Sequence, residues 1–271
     1  MRMTMTMTTK RWLATLVVVL SICGSATAAR ADESRSAYRL SFELDAPLLL
    51  LSGGVAASFL IMDETGPPAC APLCDRANIN PIDRHFAGTY SESWTQFGNI
   101  TTASVILLVP AGMLIGERSR GGFKDLVVVA EALLLTSALQ VTTSYAVNRP
   151  RPRVYGEEAP LDERNDANAG RSFFSGHVAN CVAATMVAST ALRRTGHPTL
   201  AWAVLVAGAA GSALVGVGRV AGGGHFPSDV VIGYAIGAGV GIALPALHDR
   251  HLQAAPLALP GAAGVSVAGR F

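Results

Sequence analysis

Three clusters in the second half of the chain combine residue types and spacings suited to handling a phosphate. The first is Asn148-Arg149-Pro150-Arg151-Pro152-Arg153, at the end of an apolar run. Its prolines stop a helix and hold the arginines in an extended loop, and guanidinium groups fork two hydrogen bonds onto phosphate oxygens. Alone, such a run also reads as a solvated face or a headgroup contact. The second is Arg171-Ser172-Phe173-Phe174-Ser175-Gly176-His177, directly before another apolar run. Ser175 is suited to cap a helix, Gly176 lets backbone approach closely, and the free amides of a helix start attract an oxyanion. His177 then stands where it can give a proton to a leaving oxygen, although a lone Ser-Gly-His is also just a capped helix with an exposed histidine. The third runs from Arg219 through Gly222-Gly223-Gly224-His225 to Pro227 and Asp229. Pro227 marks the first turn of a helix, so Asp229 lies about one turn past His225. A carboxylate there can hold one ring nitrogen and leave the other basic, as attack on phosphorus by histidine requires. No Gly-Lys-Ser/Thr follows the glycines, so they form no nucleotide loop.

Together the clusters resemble the type-2 phosphatidic acid phosphatase family, which shares its catalytic core with vanadium-dependent haloperoxidases. The motifs span Ser144 to Asp229. The third is present as Arg219, His225 and Asp229, with Gly218 at the family's serine; the second is Ser175, Gly176 and His177, with Phe174 at its proline. The resemblance implies a metal-independent phosphatase, without cofactor, that hydrolyses phosphate monoesters or pyrophosphates through a phosphohistidine on His225. It makes His177 the general acid and Asp229 the partner that orients His225. Arg151, Arg219, Ser175 and the Gly176 amide would hold the phosphate, with Arg149 as an auxiliary cation. The first motif departs from the pattern, because Ser144 stands where the family has lysine. Lys124 cannot replace it, since twenty helical residues span roughly 30 Å. Two alternatives follow: a non-catalytic phospholipid-binding membrane protein with a degenerate phosphate site, and, with less support, a vanadate-dependent haloperoxidase.

The elements that must position these residues are apolar helices. Half of the 271 residues are hydrophobic and 15% are charged, too apolar a balance for an ordinary soluble globule. A formal net charge of +2 gives no reason to expect nucleic acid as a partner. Four stretches lack Asp, Glu, Lys and Arg: Ala46 to Met62, Ser93 to Gly116, Thr195 to Gly218 and Val230 to His248. Leu126 to Val147, interrupted by Glu131, and His177 to Leu192 are two more candidates. Crossing a bilayer takes roughly 20 residues. The expectation is therefore all-α: a bundle of about five to six mostly membrane-spanning helices over residues 31–253, in contact with lipid and with a phosphorylated lipid or small phosphate ester. A soluble bundle of unusually apolar helices is the rival.

Arg118, Arg120 and Lys124 share one short loop and Arg193 and Arg194 another, which places both on the cytoplasmic side. The loops carrying the three clusters then face outward, in the periplasm if the protein sits in a bacterial inner membrane; a soluble periplasmic protein is the alternative. Residues 1–30 read as a signal peptide or N-terminal anchor. A cleaved signal would start Ala46 to Met62 from outside, whereas the later loops require it to enter from inside. Export suits a disulfide between Cys70 and Cys74, with metal binding the weaker reading; Cys181 suits a core position. Glu131 is expected to face the interior and find a partner or a proton. His197, His248 and His251 read as solvated, and Asp83, Arg84 and His85 as loop packing. Residues 254–271 read as a flexible tail.

Overall fold

The computed structural model describes residues 36–58, 66–77, 79–116, 120–249, 252–259 and 262–269. The expected signal or anchor over residues 1–30 lies outside them. Six long helices are present among the described residues: α1 Phe42–Ser58, α2 Glu92–Gly116, α3 Arg120–Val147, α4 Gly176–Arg194, α5 Pro198–Ala221 and α6 Pro227–Leu247. Each grows from one of the apolar stretches. Among the described residues four segments, Glu92–Ile115, Gly121–Tyr155, Pro198–Ala221 and Pro227–Leu247, are long and apolar enough to cross a membrane. Their outer faces are oily: Leu107 and Leu108 are each 69% exposed and Trp202 66%. Such faces are stable against lipid and costly against water.

α4 runs through the middle of the bundle, with Val178, Cys181, Ala184, Val187 and Ala191 fully buried. Its neighbours reach it through small residues. A Cβ on Gly237 of α6 would lie 2.4 Å from the Ala179 carbonyl oxygen, and one on Gly208 of α5 2.2 Å from Thr185 Oγ1. The helices alternate in direction, so the start of α2, the end of α3, the start of α4, the end of α5 and the start of α6 gather at one end. The loops of all three motifs lie there, as does the bonded pair Cys70–Cys74.

α1 begins at the opposite end. The segment before it is tied down by Tyr38 Oη, which donates to the Val187 carbonyl at 2.7 Å, and by Arg39 N, which donates to that of His248 at 3.0 Å. Arg194 pairs with Asp249 nearby at 2.7 Å. α1 therefore enters from the basic end, as the later loops require and a cleaved signal does not. Glu131 faces the interior as expected. His248 does not match the expectation of a solvated residue: it is 1% exposed, because its last-turn position on α6 turns it toward Asp45 and Glu131. The tail also differs from expectation, forming two antiparallel strands, β1 Leu252–Leu259 and β2 Ala262–Gly269.

The glycine at the family's serine position has a steric reason. A Cβ on Gly218 would lie 2.8 Å from the Gly98 Cα, where α5 crosses α2. Gly218→Ser is expected to lower stability by about 1–3 kcal/mol, read as a reduced Tm in detergent. An unchanged Tm would mean that the two helices separate without cost.

Candidate active site

His225 sits in the turn between α5 and α6, fixed by its amide, which donates to the Arg219 carbonyl at 3.1 Å. Its ring Nδ1 is 2.5 Å from the Ser172 carbonyl oxygen. A carbonyl only accepts, so Nδ1 carries the proton and Nε2 keeps its lone pair. The His177 ring, in the first turn of α4, is 6.4 Å away between centroids. This spacing leaves a gap between the two imidazoles.

Asp229 does not hold the His225 ring, contrary to expectation. As the third residue of α6 it turns back to accept from the Phe226 amide at 2.9 Å, and it accepts from Ser172 Oγ at 2.5 Å and from Arg149. The short reach to its own helix start wins over the reach to the ring. Asp229 acts on His225 at one remove, by gripping the residue whose carbonyl holds Nδ1.

Arg149 likewise departs from its auxiliary phosphate role. Its guanidinium pairs with Asp83 at 2.8 Å, with Asp229, and with Ser228 Oγ at 2.8 Å, and lies 4.4 Å from the centre of the Phe226 ring. With its donors so engaged, it clamps three loops together.

The remaining candidates present free donors. Ser175 occupies the N-cap of α4 but its hydroxyl makes no capping bond; Ser175 Oγ, Arg151 Nε and Arg219 Nε are buried without hydrogen-bond partners. Buried donors in that condition are costly, and an acceptor ligand would satisfy them. The charges of Arg151 and Arg219 act on both His177 and His225, so the cations and the rings share one site. Gly176 opens α4, and a Cβ there would lie 2.8 Å from Gln140 Cγ, which keeps the amide end of the helix uncluttered. Ser144 is buried, its hydroxyl spent on the Val141 carbonyl at 2.9 Å. Arg171, also buried, stacks its guanidinium 4.2 Å from the ring centre of the adjacent Tyr145.

The electrostatics follow from this placement. Burial first, then the charges of Arg151 and Arg219, push His225 well below the ordinary histidine value. Arg219 first, then burial and Arg151, do the same to His177. Burial alone would raise Asp83, but bonds from Ser228, Arg149 and Asn80 outweigh it and hold the carboxylate ionised below its usual range.

Three contributors were not singled out for the site in the sequence. Asp83, fully buried, receives Ser228 Oγ at 2.5 Å and Arg149. Asn99 receives Arg219 Nη1 at 2.9 Å, and the Ser172 carbonyl fixes the His225 tautomer. Asp83 and Asn99 come from segments far from the motifs in sequence, and no local pattern announces them.

Residues 125–252 match the model of the PAP2 superfamily. Among solved structures, a transmembrane PAP2-type phosphatidylglycerolphosphate phosphatase from Bacillus subtilis is similar at 21% identity and a TM-score of 0.43, over 76% of this chain and 96% of that one. No match is found among curated proteins.

Proposed function

From the match of residues 125–252 to the PAP2 superfamily model, we propose that the protein is a metal-independent phosphatase of that superfamily, acting on lipid phosphate monoesters or pyrophosphates through a phosphohistidine on His225. The observation that carries this reading is the set of buried, unpartnered donors of Ser175, Arg151 and Arg219 beside a histidine whose free ring nitrogen is a nucleophile. Those donors hold the nonbridging oxygens, with the amide end of α4 behind them. Nε2 attacks phosphorus, the bond to the leaving oxygen breaks, and His177 protonates that oxygen. Its proton arrives with the phosphate, whose charge offsets the two arginines. Water, deprotonated by His177, then attacks the phosphohistidine, breaks the P–N bond and releases phosphate with His225 restored.

The apolar outer faces and the gathering of the motif loops at one end support a substrate whose headgroup lies at a membrane surface. The basic residues at the other end support an outward-facing, periplasmic site in a bacterial inner membrane. One observation favours the rival reading of a non-catalytic phospholipid binder: Ser144 brings no cation. The test is phosphate release by detergent-purified protein, with chelator present, from p-nitrophenyl phosphate, phosphatidate and a polyprenyl pyrophosphate. Release by the natural protein in the presence of chelator, lost in His225→Asn, is expected. A natural protein silent on every substrate, with activity appearing only in Ser144→Lys, would establish the binder instead.

The depressed His225 value sets the pH profile. Protonation of Nε2 abolishes attack, so activity falls as pH drops through the folded-state value, which lies well below 6.5. Removing the Arg151 charge takes away part of that depression. The acid limb of kcat/KM is therefore expected to move to higher pH in Arg151→Ala, whereas a limb caused by substrate ionisation would stay in place.

A further inference from the structure

At the end of the bundle away from the two catalytic histidines, three helices bring one side chain each to a common point. Asp45 comes from the first turn of α1, Glu131 from α3 and His248 from the end of α6. Their relative exposures are 7%, 0% and 1%. His248 Nε2 lies 2.8 Å from Asp45 Oδ1 and 3.0 Å from Glu131 Oε2, and the ligand atoms of all three residues fall within 4.8 Å of one another. We propose that Asp45, Glu131 and His248 form a structural divalent-cation site, of the kind that takes Zn2+ or Mn2+, pinning α1 to α3 and α6.

Three observations carry this. First, His248 Nδ1 is 2.8 Å from the Leu244 carbonyl oxygen. The carbonyl only accepts, so Nδ1 bears the proton and Nε2 is the ring atom turned on the carboxylates; a metal-binding histidine characteristically donates its other N–H in this way. Second, neither oxygen of the fully buried Glu131 makes a hydrogen bond. Oε2 is near Nε2 but off the line of a ring N–H, which is aimed at Asp45. A buried carboxylate left so is costly, and a cation satisfies it without needing a proton on that line. Third, charge balance favours the ion. Two carboxylates with a proton on the imidazole leave the cluster at −1, whereas two carboxylates, a neutral imidazole and a divalent cation sum to zero. Ligands placed tetrahedrally about 2.1 Å from one metal are about 3.4 Å apart, so the His248 spacings of 2.8 and 3.0 Å open by about 0.5 Å to admit the ion.

The rest of the environment fits a staple. The second oxygen of Asp45 accepts from the Ser41 amide at 2.5 Å, the Tyr38 ring meets His248 edge-on at 6.3 Å, and Arg39 N bonds the His248 carbonyl. Ser41, Tyr38 and Arg39 all belong to the segment that leads into α1. The site is remote from phosphate chemistry and the inference does not rest on the phosphatase reading; it holds or fails whether or not the protein releases phosphate.

The test uses the full chain, purified untagged in detergent, stripped with chelator and dialysed. Zn2+ is then titrated by calorimetry, with Mn2+ and Mg2+ in parallel, and Tm is read with and without the metal. One Zn2+ per chain, a Tm raised by several degrees, and at least a 100-fold loss of affinity in Glu131→Gln and Asp45→Asn are expected. Both substitutions keep side-chain volume, so circular dichroism and gel filtration should match the natural protein. Stoichiometric Zn2+ binding that survives Glu131→Gln would place the ion elsewhere and overturn the proposal. So would an absence of binding in the natural protein together with an unchanged or higher Tm in Glu131→Gln, the result expected if a proton alone holds the cluster.

Discussion

Replacing His225 by alanine is expected to abolish phosphate release, with kcat falling on the order of 10⁴-fold or more, the scale of losing the nucleophile in a covalent mechanism. His225 is 2% exposed, so the truncation also leaves a small cavity; His225→Asn retains most of the volume and should be as inactive while melting closer to the natural protein. The intermediate gives an independent readout. Rapid quenching into alkali after mixing with 32P-labelled substrate should trap labelled protein, and the label should accumulate in His177→Ala, where hydrolysis of the P–N bond loses its base. A His225→Asn variant that still turned over and still took up label would move the nucleophile to another residue, the neighbouring imidazole of His177 being the first candidate.

The same residue shows how far the sequence could be read. The order Arg219, His225, Asp229 and the apolar run behind it were enough to place a histidine at a helix start beside an arginine. They were not enough to say what holds the ring, because Asp229 has two routes for its carboxylate and the nearer one, to the Phe226 amide, is invisible until the helix exists. The Ser172 carbonyl that takes the role instead is a backbone atom 53 residues away, and no residue type encodes it. Arg149 was misread for a related reason. A run of arginines signals charge, but which of them is free depends on where Asp83 arrives, from a four-residue helical turn, Pro81–Arg84, that no periodicity marks. The helices themselves were legible since charge-free stretches of bilayer length have few alternatives. His248 was not, because being buried or solvated at a helix end depends on whether another helix covers it, and α1 does. Gly218 is the converse case: it looked like a defect in a motif and is the contact that lets α2 reach α5.

Arg219 is where catalysis and stability are expected to pull in opposite directions. Its side chain is 5% exposed, its one hydrogen-bonded partner, Asn99, is neutral, and its Nε has none. The groove it occupies is made of glycine: a Cβ on Gly98 would come within 3.3 Å of its Cδ, and one on Gly224 within 2.8 Å of its Nη2. A cation buried among neutral groups and near Arg151 costs folding energy unless an anion joins it. Arg219→Met, which fills the groove without the charge, is therefore expected to hold or raise Tm in the absence of substrate. It should also lower kcat/KM on the order of 10²–10³-fold, the scale of losing one preorganised donor to developing oxyanion charge. Arg219→Lys should recover little, since a single ammonium cannot reproduce the fork that spans Asn99 and a phosphate oxygen. Added inorganic phosphate or vanadate should raise Tm in the natural protein and much less in Arg219→Met, because the anion supplies the missing countercharge. If Arg219→Met instead melts several degrees lower and keeps its kcat/KM, the guanidinium serves packing between α2 and α5, and the phosphate must be held by Arg151 and the start of α4 without it.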